Sequence, residues 1–210
     1  MPDFSFEDRY DGDVAGVDEA GRGPWAGPVV AGAVIIKDRN LGDVLLNGLD
    51  DSKKLTVKKR EVLYEELRAA ERAGKVVIGI GEASAEEIDR INILQATFLA
   101  MRRALDALGK QPNHALVDGN QKPKNFPCDC TTVVKGDARS MSIAAASIMA
   151  KVYRDRLMCR LAQQYPAYGF EKNAGYGTKA HIEGLKLYGV TPQHRRSYRP
   201  CLLYTSDAAD

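Results

Sequence analysis

A chain of 210 residues, 44 % of them hydrophobic, is long enough to bury a full core and fits one domain of ordinary size, which excludes a disordered segment. No run of about 18 apolar residues occurs, and the acidic start MPDFSFEDRYDGD has the character of neither a signal sequence nor a transit peptide, so a cytoplasmic location with no membrane contact is expected. The net charge is only +2, but residues 151–200 carry ten Lys/Arg against three acids; this polarity suits a polyanion beside a more acidic body, and solvated helix faces explain it equally well. Cys128, Cys130, Cys159 and Cys201 have the spacing of neither a disulfide framework nor a paired C-x-x-C zinc site, so unpaired thiols are expected.

Residues 13–19 and 28–36 are apolar, β-branched runs separated by a Gly/Pro turn, which predicts a hairpin of two buried strands. A helix follows over 56–73, opened by Thr56 and stopped at Gly74, and KVVIGIGEA (75–83) supplies a third strand. Ser84 with Glu87 forms a capping box for the next helix, whose core stripe reads Ile88, Ile91, Leu94, Phe98, Met101, Leu105 and Leu108 up to Gly109. HALVD (114–118) and CTTVVKGD (130–137) are short strands, each ending in an acid. A long helix over 141–164 begins after Ser140, and its small residues Ala144, Ala145, Ala146 and Ser147 predict close backbone packing on a sheet; a last helix covers 179–188 after NAGYGT.

This order predicts an α/β fold with a mixed sheet, because the early hairpin is antiparallel while the later crossings need parallel pairs. Residues 1–200 form one domain, with a helical C-terminal part from about 165. The tail CLLYTSDAAD (201–210) follows a proline, has no periodicity, and reads as a non-native addition outside the fold.

The acids that end strands carry the chemistry. Asp18 and Glu19 close the first strand, Asp118 closes HALVD and Asp137 closes VVKGD, so all four are placed to converge on one rim. Singly, Asp118 in VDGN suits an Asx-turn and Asp137 a helix start. Together, four carboxylates repel one another unless cations sit among them, and oxygen ligands without His or Cys select Mg²⁺ or Mn²⁺ over Zn²⁺. The stretch GRGPWAG after the first strand superficially matches a dinucleotide-binding turn, but Gly27 falls one place late and Pro24 and Pro28 occupy the place of a helix start. What remains is a loop whose glycines let a polymer backbone come close.

The motifs GVDEAGRGPWAGPVVAGAVI, DSKKL, LVDG, KGDARSMSIAAASIMAKVYRD and GYGTKAH…HRRS, in order from about residue 13 to 198, resemble bacterial ribonuclease HII. The resemblance implies a ribonuclease H-like fold, a mixed five-stranded sheet flanked by helices with a C-terminal helical segment. It implies a monomeric endonuclease acting on the RNA strand of RNA·DNA hybrids and on ribonucleotide-containing duplex DNA. By position, Asp18, Glu19, Asp118 and Asp137 match the family's catalytic and metal-binding acids, with Mg²⁺ or Mn²⁺ in a two-metal site. Gly21, Arg22 and Gly23 match the loop that contacts the ribose 2′-OH and flanking phosphates, Tyr176 the tyrosine that reads the RNA–DNA junction, and Lys53 and Lys54 a phosphate-contacting loop. His114, His181 and His194 have no ligand spacing and are expected to be structural or on the surface. A replication-clamp contact stays open, because the short motif for it would fall in the tail.

Overall fold

The two apolar runs form the antiparallel pair β1 (Val14–Ala20) and β2 (Val29–Ile36), in register from Ala15↔Ile35 to Ala20↔Val30. The strand β3 (Val76–Ala83) adds antiparallel to β2, while β4 (His114–Asp118) and β5 (Asp129–Val133) add in parallel on the far side of β1. The order β3-β2-β1-β4-β5 is the expected mixed five-stranded sheet. This computed structural model describes residues 1–123 and 126–204.

Alternation along the strands sorts the helices onto two faces. Ala15, Val17, Ala31, Ala33 and Ile35 pack against α3 (Ala85–Asp106). On the other face, Val34 packs with α2 (Val57–Arg72) and α4 (Met141–Gln164). Gly16 and Gly32 lie under α4, where an added Cβ would come within 2.1 Å of the Ser142 carbonyl carbon and 2.5 Å of the Ala146 oxygen. Strand and helix backbones therefore touch, and Ala144, Ala145, Ala146 and Ser147 are buried in that contact, as their small size predicts.

Helix ends follow their cap residues. Thr56 accepts from Lys59 N–H at the start of α2, and Thr178 from His181 N–H at the start of α6 (Lys179–Tyr188). The Ser84–Glu87 capping box is closed in both directions, Glu87 N–H to Ser84 Oγ at 3.1 Å and Ser84 N–H to Glu87 Oε2 at 3.0 Å.

The structure differs from the expectations in four places. First, α3 is broken at Asn92, whose φ of 67° is not helical and whose Oδ1 accepts from Leu94 and Gln95 N–H, so it caps a second helical segment. The break rotates the buried face onto Ala96, Thr97, Ala100 and Ala104, leaving Leu94 and Phe98 half-buried. Second, β5 ends at Val133: Lys135 adopts a left-handed conformation and Gly136–Ala138 form a 3-10 turn, so Asp137 stands in that turn and not at a strand end. Third, α1 (Asp43–Leu46), α5 (Phe170–Asn173) and α7 (Arg199–Leu202) have four residues each, too few to show a period in the sequence. Fourth, the tail does not leave the fold at 201: Cys201 is wholly buried, its Sγ donating to Trp25 O at 3.7 Å, and Tyr204 packs against the cluster of Ala26, Met158 and Phe170. Residues 205–210 lie outside the described residues. All four cysteines are free thiols.

Candidate active site

The strand register brings the first acids together. Val17 of β1 pairs with Val117 of β4 in parallel, so the next residues, Asp18 and Asp118, stand side by side on the face that Gly16 and Leu116 turn toward α4. Glu19 has the opposite parity and reaches the rim from the other side, where its carboxylate lies 3.4 Å from Arg22 Nη1. Asp137 approaches from the turn before α4, and that turn is tied to β4 by Gly136 N–H donating to Asp118 Oδ1 at 2.7 Å. The left-handed Lys135 makes this approach geometrically available.

Burial and mutual repulsion hold three of these acids above the usual carboxylate range. Asp18 is raised well above it by burial, then by Glu19 and Asp118. Glu19 is raised by burial and by Asp118, against the pull of Arg22. Asp137 is pushed up to about 6 by burial, by Asp118 and by Asp51, whose carboxyl hydrogen-bonds it. Lys53 answers this negative field: burial would lower its pKa, but Asp18, Asp137, Asp51 and Asp118 together raise it. Ser147 and Ser52 pair their hydroxyls at 2.9 Å beside Asp18.

Such a cluster of hard oxygen donors, desolvated and self-repelling, fits Mg²⁺ or Mn²⁺. Among the described residues, no group of three His, Cys, Asp or Glu side chains is already drawn close enough to hold an ion. The electrostatics are the better guide, because small χ rotations move carboxylates onto an ion, whereas their shared desolvation is set by the backbone.

A cleft of about 370 Å³ opens beside the acids, reaching Glu19 but not Asp18, Asp118 or Asp137, and is lined by the Gly21–Gly23 loop, Ser52, Lys53, Ser147, Lys151, Arg154 and Tyr176. A larger cavity of about 500 Å³ lies between α1 and α2 among Val44, Val62 and Leu63, but none of the expected site residues lines it. The structure separates the two expected lysines: Lys53 faces the acids, while Lys54 pairs with Asp50 at 3.2 Å away from the cleft.

Two arginines that sequence reasoning counted only as surface charge shape the glycine loop. Arg195 is wholly buried and donates to the carbonyls of Gly21, of Arg22 (2.8 Å) and twice of Gly27 (3.1 and 2.9 Å). Because each peptide unit is planar and trans, the N–H groups of Arg22 and Gly23 point away from Arg195. Arg154, also buried, donates to Pro28 O (3.0 Å), Ala26 O (3.1 Å) and Ala174 O (2.9 Å), joining that loop to the turn carrying Tyr176. Gly21 has φ +94°, and a Cβ there would lie 1.9 Å from Arg154 Nε. At Gly23 a Cβ would meet only the Tyr176 side chain, Cε1 at 3.4 Å and Oη at 3.8 Å, so the chain itself does not require glycine there; a side chain would instead fill the space between loop and tyrosine. The only sequence signal for either arginine was its place in the motifs KVYRD and HRRS.

The charge surplus of residues 151–200 is thus partly internal. Arg156 pairs with Glu61 and Glu65, and Lys151 with Asp155 at 2.7 Å. The histidines are structural: His114 stacks on Tyr10 with ring centroids 3.7 Å apart, and His181 and His194 are buried against each other.

A β3-β2-β1-β4-β5 sheet with acids gathered beside its central strand and the start of a long helix defines a nuclease of the ribonuclease H-like fold. The family model "Ribonuclease HII" matches residues 15–201. A ribonuclease HII of Paramagnetospirillum magneticum is 56 % identical over 204 residues, covering 97 % of this chain and 98 % of its own. One from Gluconobacter oxydans is 58 % identical over 95 % of this chain and 94 % of its own. Among solved structures, the ribonuclease H2 of Pyrococcus horikoshii superposes with a TM-score of 0.72 at 31 % identity, covering 91 % of this chain and 96 % of that one. A Bst-RNase HIII in complex with Mn²⁺ superposes at 0.66 and 17 % identity, covering 90 % of this chain and 68 % of that one, a likeness of fold alone. The chain belongs to the ribonuclease HII family and is a ribonuclease H-type endonuclease.

Proposed function

We propose that this cleft hydrolyses the RNA strand of RNA·DNA hybrids and cuts 5′ to single ribonucleotides embedded in duplex DNA, leaving 5′-phosphate and 3′-hydroxyl ends. The observation that carries the reading is a cleft whose lining joins Glu19, one of the acids raised by burial and by its neighbours, to the Gly21–Gly23 loop and the exposed Tyr176 ring. The 2′-OH is what distinguishes RNA from DNA at a given position, and reading it takes donors and acceptors at close range. The N–H groups of Arg22 and Gly23 supply such contact, and the missing side chain at Gly23 lets a sugar approach. The Tyr176 ring, across from Gly23, lies against the adjacent deoxyribose and rejects a bulkier 2′-substituent.

Asp18, Glu19, Asp118 and Asp137 would hold the metal. When bound there, Mg²⁺ or Mn²⁺ lowers the pKa of water and offsets charge on the leaving 3′-oxygen. Lys53 attracts the phosphate and moderates repulsion among the acids, and Arg22 does the same for Glu19. Lys54 contacts the backbone only if its pair with Asp50 opens. This activity belongs to ribonucleotide removal during DNA replication and repair in the cytoplasm, by a monomer. A solved complex of PCNA with an RNase HII from Archaeoglobus fulgidus makes a clamp contact a natural partner to test here.

The test is cleavage of duplex DNA bearing one ribonucleotide, in Mg²⁺, Mn²⁺ or EDTA. Cleavage is expected with either ion and not in EDTA, and Asp18→Asn or Asp118→Asn abolishes it while duplex binding persists. Full activity in EDTA or in either variant refutes the reading.

A further inference from the structure

His181 on α6 and His194 after it form a buried pair, Nε2 to Nε2 at 2.9 Å, with 0 % and 1 % of their surfaces exposed. The outer nitrogens face backbone groups whose roles are fixed, and the Thr191 hydroxyl also lies 2.9 Å from His194 Nδ1. His194 Nδ1 lies 2.9 Å from Thr191 N–H, which can only donate, so Nδ1 carries a lone pair. His181 Nδ1 lies 3.0 Å from the Tyr176 carbonyl, which can only accept, so that nitrogen carries the proton. One neutral arrangement satisfies every atom: Thr191 N–H donates to His194 Nδ1, His194 Nε2–H to His181 Nε2, and His181 Nδ1–H to Tyr176 O. Burial lowers both imidazole pKa values, and their mutual repulsion lowers that of His194 further, consistent with two neutral rings enclosed by Tyr168 and Phe170.

The relay ends on the residue that faces the glycine loop. The turn before Tyr176 is conformationally costly, with Ala174 at φ 48° and Gly175 at φ 84°. Trp25 N–H donates to Gly175 O at 2.8 Å, and Gly177 has no room for a Cβ beneath the Trp25 ring. Trp25 and His181 thus grip the turn on either side of Tyr176. The Tyr176 carbonyl also accepts from Thr178 N–H at 2.8 Å, so losing the His181 bond would leave it held by one donor in place of two and would loosen the phenol relative to Gly23.

We propose that His181 and His194 are positioning residues for the cleft, a proton-ordered relay that fixes Tyr176 over the glycine loop and sharpens discrimination between ribose and deoxyribose. The inference rests on the reading of Tyr176 in the proposed function. It does not concern the chemical step, so it acts on substrate choice more than on turnover.

Two amide substitutions at His181 separate position from packing. His181→Asn places its amide nitrogen where Nδ1 was and keeps the bond to Tyr176 O; His181→Gln places its amide near Nε2, keeps contact with His194 and drops that bond. The readout is the kcat/KM ratio between duplex DNA with a single ribonucleotide and a uniform RNA·DNA hybrid, in Mg²⁺. H181Q is expected to lower the ratio about tenfold, the equivalent of one buried hydrogen bond, and H181N to stay within about twofold of wild type. Equal ratios in the two variants overturn the proposal. Tyr176→Ala is the control: an unchanged ratio removes the role of Tyr176 and the relay with it, while a changed ratio beside an unaffected H181Q removes the relay alone. A measurement on the unmodified protein is independent of variant folding: imidazole ¹⁵N spectra should show His181 protonated on Nδ1 and His194 on Nε2, and the opposite tautomer in either ring overturns the proposal.

Discussion

Replacing Arg195 by methionine removes the guanidinium that bonds the Gly21, Arg22 and Gly27 carbonyls while keeping a similar apolar stem. The loss orphans the carbonyls of Gly21 and Gly27, while the Arg22 carbonyl keeps the Tyr198 hydroxyl as a donor at 2.8 Å. Gly27 is buried and has no route to water, while Gly21 and Arg22 sit at the cleft and can rehydrate in part. At about 1–3 kcal/mol for each buried acceptor left unpaired, and with relief from removing a buried guanidinium whose pKa burial already lowers, the net cost is about 3 kcal/mol. With a urea m-value of about 2 kcal/mol per molar, the denaturation midpoint drops by about 1.5 M. Arg195→Lys keeps the charge without the fork and falls between. The same variants should lose kcat/KM on the single-ribonucleotide duplex, because the N–H groups of Arg22 and Gly23 are no longer aimed. A midpoint within about 0.3 M of wild type for Arg195→Met would show that the loop holds itself, and would refute the argument.

Glu7 clamps the start of α4 from the N-terminal segment: its Oε1 accepts from Ser140 Oγ (2.6 Å), Ser142 N–H (2.9 Å) and Ser142 Oγ (2.6 Å). Glu7→Ala should cost about 2 kcal/mol in urea denaturation and also slow cleavage, because the turn bearing Asp137 ends at Ser140; Glu7→Gln, which keeps an acceptor, should recover most of both. For His194, pushed down to about 4 by burial and by His181, the unfolded chain takes up a proton near pH 6.5 while the folded protein does not until about pH 4. Stability is therefore complete above pH 6.5 and falls as the pH drops toward 4, by about 3 kcal/mol for this group. The measurement is the urea midpoint against pH, compared with His194→Gln, which should flatten that slope; an unchanged slope would mean other groups carry it.

Sequence and structure part most clearly at the charged residues. The four acids were legible because a carboxylate at the end of an apolar strand is out of place locally, and Asp18, Glu19 and Asp118 do stand at strand ends. Asp137 was singled out for a partly wrong reason, since its strand stops at Val133 and a left-handed Lys135 turns the chain before it. Arg154 and Arg195 were misread as surface charge because nothing within their own helix or loop reveals that their partners are carbonyls of residues 21–28. Asp51 escaped notice among the neighbouring charges of DDSKKL.

Elements whose cause is local were determined by the sequence alone: β-branched runs for the strands, Ser84 with Glu87 and Thr56 as caps, and alanines that foretold close contact of α4 with the sheet. The break at Asn92 needed the tertiary structure, because an apolar stripe at helical spacing does not show where an asparagine will cap a second segment. The parallel pairing that sets Asp18 beside Asp118 also depended on the folded chain, as did the two arginines turning a glycine loop outward and the histidine relay reaching Tyr176. The strand register and the arginine bonds join residues far apart in the chain, and such partners are chosen only when the sheet closes and α4 settles on it.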